Sequence, residues 1–354
     1  MSFSNKTILV TGAAGFIGFY LCRELLRQGK KGVKIVGFDN MNSYYDVSLK
    51  EERLRILRDT AEREDTGSFL FVKGSLQDAE AVNAIFWEYK PDIVVNLAAQ
   101  AGVRYSVTNP KVYIETNLVG FFNMLEACRH SYDGGKKGVE HFVYASSSSV
   151  YGSNTKVPYS VKDKADCPSS LYAATKKADE LLAYTYSSLY HIPVTGLRFF
   201  TVYGPLGRPD MAYFGFTNKL VKGEKIQLFN YGDMYRDFTY IDDIITGMLK
   251  VLERVPTENE GGVRSKLYNI GGSHPKSLIS FVRILEKSLM TEGIIDKPAE
   301  IELLPMQAGD VYQTYADTSE LEQDFGFKPE IGLEEGLGRY ARWYREYYIK
   351  ETDR

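Results

Sequence analysis

Cysteine is scarce in this sequence, and its placement argues against a disulfide-stabilised fold. The 354 residues include three cysteines, Cys22, Cys128 and Cys167, an odd number spread widely along the chain. Small secreted scaffolds depend on dense cysteine pairs. The first thirty residues also lack an apolar stretch followed by a small-residue cleavage site, which a secretory signal requires. We therefore expect free thiols, a reducing compartment and a cytoplasmic protein.

Long apolar runs, clustered metal ligands and an excess of one charge are missing as well. No run approaches the ~18 apolar residues that a bilayer-spanning helix requires. The four histidines are scattered and only Cys128 lies near His130, so the spacing predicts no metal site. Lys and Arg number 43 against 46 Asp and Glu. This balance gives no electrostatic reason to expect a nucleic acid or a membrane surface as partner.

What the chain contains is a regular alternation of short apolar runs and amphipathic segments. Between the runs, apolar residues recur at helical spacing. Apolar strands joined by helices predict an α/β protein with a doubly wound parallel sheet that helices cover on both faces. The predicted strands are 6–11, 33–38, 69–72, 93–97, 141–145 and 194–199.

The alternation is interrupted once and later fades. Residues 41–66 carry many charges around Leu49, Leu54 and Leu57, and we predict a helical surface insertion with a solvated charged face. Beyond about Pro205 the elements become shorter, which indicates a smaller C-terminal α/β lobe. We expect residues 1–200 to form the first domain, about 238–272 to return to it, and 201–237 and 273–354 to form the smaller lobe.

A glycine-rich turn joins the first strand to the first helix. Gly12, Gly15 and Gly18 follow that strand at a spacing that lets the backbone approach a diphosphate resting on the helix N-terminus. The second strand ends at Asp39, twenty-one residues after Gly18, where this fingerprint has an acidic residue for the adenosine ribose. A carboxylate there repels a 2′-phosphate, so the pattern predicts a Rossmann domain that binds NAD rather than NADP.

A tyrosine and a lysine form the candidate catalytic pair. Tyr172 and Lys176 lie four residues apart on a predicted helix at 171–190, so they share one face. A tyrosine, with a reference pKa of ~10, is a poor base at neutral pH, but nearby positive charge favours the phenolate. The serines at 146–149 end a predicted strand, where parallel sheets bind ligands. The alternative is that Tyr172 and Lys176 stand at this spacing by chance, since the chain has 26 tyrosines, and that the serines only form a turn.

These segments resemble the extended short-chain dehydrogenase/reductase family, and within it the nucleotide-sugar 4-epimerases. The resemblance covers nearly the whole length and is carried by 11–12, 96–99, 146–152, 172–176, 198–204 and 236–243. A closer similarity, to the epimerases of UDP-glucuronate, is carried by 44–46, 49–50, 171–176, 201–205, 207–212, 305–307 and 309–311. It implies that NAD stays bound through the reaction, that a UDP-sugar binds to the smaller lobe, and that helices at 114–129 and 171–190 form a homodimer.

The resemblance also assigns roles to individual residues. It implies that the catalytic residues are Tyr172, Lys176 and Ser147. The implied NAD site consists of Gly12, Gly15, Phe16, Ile17, Gly18, Asp39, Asn40, Ser75, Leu76, Leu97, Ala98, Ala99, Gln100, Asn117, Tyr172, Lys176 and Phe199. The implied substrate site consists of Ser147, Ser148, Ser149, Thr201, Arg208, Arg236 and Asp310. In many related epimerases an aspartate stands at the position of Ser75, so the adenine contact is altered here.

One position bears on which sugar is bound. Galactose-type epimerases usually carry an arginine where Gln307 stands, and this difference favours an acidic sugar. A 4-ketone makes the carboxylate of glucuronate a β-keto acid that can lose carbon dioxide. We expect Thr201, Arg208 and the serines at 147–149 to hold that carboxylate in an unreactive orientation.

Four other functions remain as alternatives. Two keep the reaction and change the sugar: a UDP-glucose or a UDP-N-acetylhexosamine 4-epimerase. A UDP-glucuronate decarboxylase and a non-catalytic nucleotide-binding regulator are the others, because a fold does not determine a function. A dehydratase is disfavoured, since Ser148, Ser149 and Val150 stand where its acid and base are expected.

Overall fold

The computed structural model describes residues 3–28, 31–65, 67–307 and 310–349. The strands are β1 (Thr7–Thr11), β2 (Val33–Asp39), β3 (Gly67–Lys73), β4 (Ile93–Asn96), β5 (His141–Ser147), β6 (Val194–Phe199), β7 (Thr201–Tyr203), β8 (Ile226–Leu228), β9 (Tyr235–Arg236), β10 (Phe238–Tyr240), β11 (Ser265–Ile270), β12 (Lys276–Ser277) and β13 (Ile301–Leu303). The helices are α1 (Phe16–Arg27), α2 (Val47–Glu64), α3 (Ala79–Tyr89), α4 (Tyr105–Thr108), α5 (Pro110–Tyr113), α6 (Gly120–His130), α7 (Leu171–Tyr190), α8 (Ala212–Val221), α9 (Ile241–Leu252), α10 (Leu278–Thr291), α11 (Ser319–Phe325) and α12 (Leu333–Tyr344). π-Helical turns at Ile114–Val119 and Arg345–Ile349 follow α5 and α12.

Seven strands form one parallel sheet in the order β11-β6-β5-β4-β1-β2-β3. The chain runs outward from β1 through β2 to β3 and then returns to the other side of β1 as β4. This reversal opens a crevice at the carboxyl ends of β1 and β4, where open α/β sheets bind ligands. The prediction of a Rossmann doubly wound parallel sheet is confirmed.

Helices cover both faces of this sheet. Alternate residues of β1 enter different apolar clusters, Ile8 and Val10 on one side and Leu9 on the other, as the two-residue period of a strand requires. The first cluster includes α1 and α9, and the second includes α3, α6 and α7. Within the described ranges, no helix combines the length and the apolar character needed to cross a membrane.

Shorter elements follow β6. They include the strand pairs β7–β10, β9–β12 and β8–β13, whereas β11 joins the central sheet beside β6. Asp237 connects several of these segments, because its buried carboxylate accepts backbone hydrogen bonds from Gly272, Ser273 and Ala316 at 2.7, 3.0 and 2.9 Å. One carboxylate thus holds together three parts of the chain that are distant in sequence.

The charged segment predicted as a solvated insertion forms α2. The prediction of a solvated surface is wrong for one face of this helix. Leu49 and Leu57 are buried in the core, and the side chain of Arg53 has no exposed surface. Arg55, by contrast, is exposed and pairs with acidic neighbours on its own helix. A run of charges therefore did not reveal which side of the helix packs inward.

Candidate active site

Most of the predicted site residues line one cavity at the carboxyl ends of the central strands. The predicted residues that line it are Gly12, Gly15, Phe16, Ile17, Gly18, Asp39, Asn40, Ser75, Leu76, Leu97, Ala98, Ala99, Gln100, Ser147, Tyr172, Lys176, Phe199 and Arg208. Those that lie outside its lining are Asn117, Ser148, Ser149, Thr201, Arg236 and Asp310. The fold thus brings the glycine turn, the acidic residue and the tyrosine–lysine pair to one place.

The cavity is also lined by residues to which the sequence assigned no role. They are Phe38, Asn42, Tyr44, Tyr45, Lys50, Gly74, Ala101, Thr116, Ala145, Phe200, Val202 and Met211, and Ser146 of the predicted serine run lines the cavity as well. Tyr44, Tyr45 and Lys50 belong to a segment that carries the family resemblance. That resemblance was the signal by which they could have been found.

The glycine turn leaves almost no room for side chains. Gly12 has φ +69°, a left-handed conformation that favours glycine, and a Cβ there would lie 2.9 Å from the backbone nitrogen of Ala98. A Cβ on Gly18 would collide with the carbonyl oxygen of Gly12. The backbone N–H of Gly15 donates to that carbonyl at 2.8 Å. The turn therefore presents bare backbone at the start of α1, an arrangement that suits a bound anion.

Asp39 ends β2 beside this turn, and backbone hydrogen bonds orient it. Its Oδ2 accepts from the N–H of Ala14 at 3.2 Å, and its Oδ1 accepts from the N–H of Met41 at 2.8 Å. The Nζ of Lys50 lies 4.0 Å from Oδ1 and donates to Asn42. Burial lowers the pKa of Lys50, and the charge of Asp39 opposes this shift. The carboxylate is thus fixed in the cavity wall with a cation beside it.

Tyr172 and Lys176 lie on successive turns of α7, which begins where Ser170 accepts a hydrogen bond from a backbone N–H of the first turn. The Nζ of Lys176 donates to Asp179 Oδ2 at 3.1 Å. Asp179 is fully buried, and burial raises its pKa to about 7 against the opposing charge of Lys176. The ring of Tyr172 meets Tyr113 edge-on, with centroids 6.1 Å apart. A phenol and an ammonium therefore share one wall of the cavity.

The serine run at the end of β5 divides into different environments. Ser147 lines the cavity, and its Oγ donates to the Oγ of Ser149 at 3.1 Å while accepting from that residue's N–H. Ser146 donates to Glu180 at 2.7 Å, and Arg198 donates to both oxygens of Glu180 at 2.7 and 2.8 Å. Burial alone would raise the pKa of Glu180, but its bonds to Arg198 hold it below its usual value. A buried ion pair therefore anchors the strand end that carries Ser147.

Arg208 reaches the cavity from the loop after β7. Its Nε and Nη2 donate to Asp210 at 2.9 and 2.6 Å. Tyr44, from the segment after β2, also donates to Asp210, at 3.2 Å. Thr201 in β7 lies outside the cavity lining, although the next residue, Val202, is part of it. Arg208 is thus held in a fixed orientation by Asp210 of its own loop, which is itself bonded to Tyr44.

Arg236 and Asp310 lie near each other, outside the cavity lining. Arg236 donates to three backbone carbonyls, two of them at 311–312. Asp310 Oδ2 accepts from Arg104 at 3.0 Å, an exposed arginine that belongs to no motif of the sequence. Burial lowers the pKa of Arg236, and the charge of Asp310 opposes this shift. Gly309, which precedes Asp310 in the matching segment, lies outside the described residues.

Asn117 lies behind the cavity and supports one of its walls. Its side chain accepts the N–H of Gln100 at 2.8 Å and donates to the carbonyl of the same residue at 3.1 Å. A further hydrogen bond, to Thr175 at 3.1 Å, connects it to α7. The segment after β4 is thereby held against the helix that carries Tyr172. Among the described side chains, no group of three or more His, Cys, Asp or Glu residues is placed to hold a metal ion.

The chain is similar to known proteins over nearly its whole length. The family model described as GDP-mannose 4,6 dehydratase matches residues 9–340. Protein CapI of Staphylococcus aureus is 44% identical over 354 residues, covering 97% of this chain and 99% of that protein. A probable UDP-glucuronate 4-epimerase of Rhizobium meliloti strain 1021 is 42% identical over 353 residues, covering 96% of this chain and 97% of that protein.

A solved structure is similar as well. It is the UDP-glucuronic acid 4-epimerase from Bacillus cereus in complex with UDP-glucuronic acid and NAD. The two chains are 31% identical, the TM-score is 0.82, and the match covers 97% of this chain and 100% of that one. The likeness therefore extends over the central sheet and over most of the shorter elements that follow β6.

Proposed function

The chain belongs to the GDP-mannose 4,6 dehydratase family and is an extended short-chain dehydrogenase/reductase, and we propose that it interconverts UDP-glucuronate and UDP-galacturonate with NAD as its cofactor. One observation supports this reaction above all others. Tyr172, Lys176 and Ser147 line the same cavity as the glycine turn and Asp39. Proton-transfer groups and a dinucleotide-binding turn in one cavity are what a reversible oxidation of a sugar hydroxyl requires.

The NAD site of this proposal is formed by the predicted residues of the cavity wall, with Asn117 supporting it from behind. The bare backbone at Gly12, Gly15 and Gly18 fits a diphosphate at the start of α1. Asp39, oriented by two backbone N–H groups, fits the adenosine ribose hydroxyls and disfavours a 2′-phosphate. When bound, NAD supplies the hydride acceptor for carbon 4 and then the donor that reduces it again.

The acid–base groups are Tyr172, Lys176 and Ser147. The phenolate of Tyr172 takes the proton from the 4-hydroxyl, and the ammonium of Lys176 stabilises its negative charge. Ser147 binds the same sugar oxygen through its hydroxyl. A 4-keto sugar results. After it has turned about its diphosphate link, the hydride returns to the opposite face of carbon 4 and Tyr172 returns the proton to the oxygen, so the configuration at carbon 4 is inverted. Epimerisation requires that the site keep the ketone away from water throughout.

In this proposal the smaller lobe holds the nucleotide, and residues of both parts of the chain face the sugar. Arg236 and Asp310 are the predicted nucleotide contacts, and the position of Arg104 next to Asp310 adds a second cation to this cluster. Two guanidinium groups suit a diphosphate. In the proposed division of the chain, 1–200 with about 238–272 binds NAD, and 201–237 with 273–354 binds the nucleotide sugar, to which Arg104 adds a contact from the first part.

The carboxylate of glucuronate is assigned to Arg208, Thr201 and the serines at 147–149. Arg208 lines the cavity with Tyr172, so an acidic sugar near the reacting carbon would share its guanidinium with Asp210, to which it donates two hydrogen bonds. By holding the carboxylate, these groups keep its bond to carbon 5 out of line with the ketone and so prevent loss of carbon dioxide. Gln307, in place of the arginine of galactose-type epimerases, fits the same preference for an acidic sugar.

A homodimer and a cytoplasmic location are part of the proposal. α6 and α7 pack against each other and carry exposed apolar side chains, among them Phe122, Leu181 and Leu189 at 45, 60 and 62% exposure. Such a patch suits a second copy of the chain. Light scattering after size exclusion tests this, because a Leu181→Asp, Leu189→Asp double variant should become monomeric if the proposed dimer is correct.

The reaction itself is tested by incubating the purified protein with UDP-glucuronate, without added cofactor, and following the products by NMR. We expect UDP-galacturonate to form until equilibrium is reached. Parallel incubations with UDP-glucose and UDP-N-acetylglucosamine distinguish the alternative epimerases, and a pentose nucleotide as main product would identify a decarboxylase. If no nucleotide sugar is converted although NAD is bound, the proposed function is wrong.

A further inference from the structure

We propose that Arg53 is a positioning residue that couples the glycine turn to the loop carrying Arg208, so that occupancy of the NAD site strengthens sugar binding. The inference rests on the proposed function for the identity of the two ligands. Arg53 itself lies outside the cavity lining. It therefore acts through the segments that it holds together.

A single guanidinium connects three segments of the chain. Nη1 of Arg53 donates to the carbonyl of Ala14 within the glycine turn and to the hydroxyl of Tyr45, both at 2.7 Å. Nε and Nη2 donate to the carbonyl of Leu206 at 3.1 and 2.7 Å, and Nη2 also reaches the carbonyl of Gly207 at 3.1 Å. The next residue in the chain is Arg208. The planar fork of an arginine can make these contacts at once.

The charge of Arg53 is unusual for a buried group. Its side chain has no exposed surface, and its five hydrogen bonds all end on neutral oxygens of the described residues. A buried charge balanced only by dipoles is costly. A dinucleotide diphosphate at the glycine turn adds negative charge on the side where Nη1 is bound. The diphosphate then attracts the guanidinium, and this attraction favours the geometry in which Arg53 keeps its hydrogen bonds to the turn and the loop.

Besides the hydrogen bonds from Arg53, contacts with two tyrosines restrict the loop at 204–208. Tyr213 donates to the carbonyl of Gly204 at 3.2 Å, and a Cβ on Gly207 would collide with the hydroxyl of the same tyrosine. Tyr20 of α1 donates to the carbonyl of Pro205 at 3.0 Å. A change at Ala14 is therefore passed through Arg53 to Leu206 and Gly207, and the rigid loop passes it on to Arg208.

The matched variants are Arg53→Lys and Tyr20→Phe. A lysine keeps the charge, but one ammonium cannot span Ala14 and the two loop carbonyls. Tyr20→Phe removes a hydrogen bond to the same loop and leaves the contact with the turn intact. In a Tyr172→Phe background, where no turnover disturbs the titration, we measure the affinity for UDP-glucuronate by calorimetry with NAD-loaded and NAD-free protein.

The coupling should appear as a ratio of affinities. NAD-loaded protein should bind UDP-glucuronate at least about fivefold more tightly, the lower end of typical coupling between sites. Arg53→Lys should bring this ratio close to one, and Tyr20→Phe should retain it. A ratio of one in the parent protein, or an unchanged ratio in Arg53→Lys, overturns the proposal.

A second measurement uses only the wild-type chain, so it tests the proposal even if Arg53→Lys fails to fold. Leu206 and Gly207 lie outside the cavity lining, so hydrogen exchange of the backbone amides at 206–207 in the wild-type chain reports on coupling without any substitution. Adding NAD alone should slow their exchange, and unchanged exchange contradicts the role of Arg53. This result does not depend on the sugar, so it is distinguishable from a failure of UDP-glucuronate to react.

Discussion

Lys176 and Asp179 form a buried ion pair in which Nζ lies 3.1 Å from Oδ2. The two side chains are 3 and 0% exposed, and Oδ1 of Asp179 has no hydrogen-bond partner among the described residues. Burial raises the pKa of Asp179 to about 7, and the charge of Lys176 opposes that shift. The proposed catalytic ammonium is therefore next to a carboxylate that changes charge near neutral pH.

Asp179→Asn should change how stability depends on pH. The folded pKa of about 7 lies above the ~3.9 of an unfolded aspartate, so the stability that the bound proton gives is complete below about pH 4 and is lost as the pH rises to about 7. The asparagine variant lacks this loss. Between pH 5 and pH 8, its free energy of unfolding should rise relative to that of wild type by about 2 to 3 kcal/mol, as measured by urea denaturation.

Asp166→Asn provides the control for this comparison. Asp166 is exposed, so this variant makes the same chemical change at a position that is not buried. If the wild-type and Asp179→Asn curves run parallel from pH 5 to pH 8, the carboxylate does not titrate in that range and its assignment is wrong.

Tyr172→Phe should remove the proposed base while NAD stays bound. Loss of a positioned acid–base group lowers turnover by about 10²- to 10⁴-fold. The rate of UDP-galacturonate formation is measured by NMR, and the NAD content by absorbance after denaturation. Tyr184→Phe is the control, since Tyr184 lies on the same helix with 51% exposure. Near-normal turnover in Tyr172→Phe would contradict the assignment.

Arg208→Ala should change the products rather than only the rate. Without the guanidinium, the carboxylate of the 4-keto sugar is free to align with the ketone, and the fraction of pentose nucleotide should rise. Asp210→Asn keeps Arg208 but replaces the anion to which it donates two hydrogen bonds, so a smaller rise is expected. An unchanged product mixture in Arg208→Ala shows that other groups hold the carboxylate.

Residues at the ends of strands or on one face of a helix lie together in the cavity, as the sequence predicts. Gly12 and Asp39 follow neighbouring parallel strands, so the order of the elements alone brings them to one edge of the sheet. Tyr172 and Lys176 share a helix face because of their spacing. In each case a local pattern and the strand order are sufficient, and no knowledge of the packing between distant segments is needed.

Residues whose partners are distant in sequence were missed. Arg53 contacts Ala14 and Leu206, which are 39 and 153 residues away, and nothing in the charged pattern of its helix distinguishes it from the exposed Arg55. Arg104 and Asp310 are 206 residues apart. Their proximity depends on how the smaller lobe packs against the segment after β4, and this is a property of tertiary structure.

The ion pair beneath the serine run provides a test of how that strand end is held. Glu180 accepts two hydrogen bonds from Arg198, at 2.7 and 2.8 Å, and one from Ser146 at 2.7 Å, and both charged side chains are almost fully buried. Glu180→Gln keeps the shape but leaves the guanidinium of Arg198 without its counter-charge. Breaking a buried pair in this way costs about 3 to 5 kcal/mol, to be measured by urea denaturation at pH 7.

Lys177→Ala is the control, because Lys177 reaches the same carboxylate at 3.1 Å from a partly exposed position. This substitution should lower the free energy of unfolding by less than about 1 kcal/mol. Equal losses in the two variants would mean that the buried pair contributes no more than a surface contact, and the strand end that carries Ser147 would then have to be held by its backbone alone.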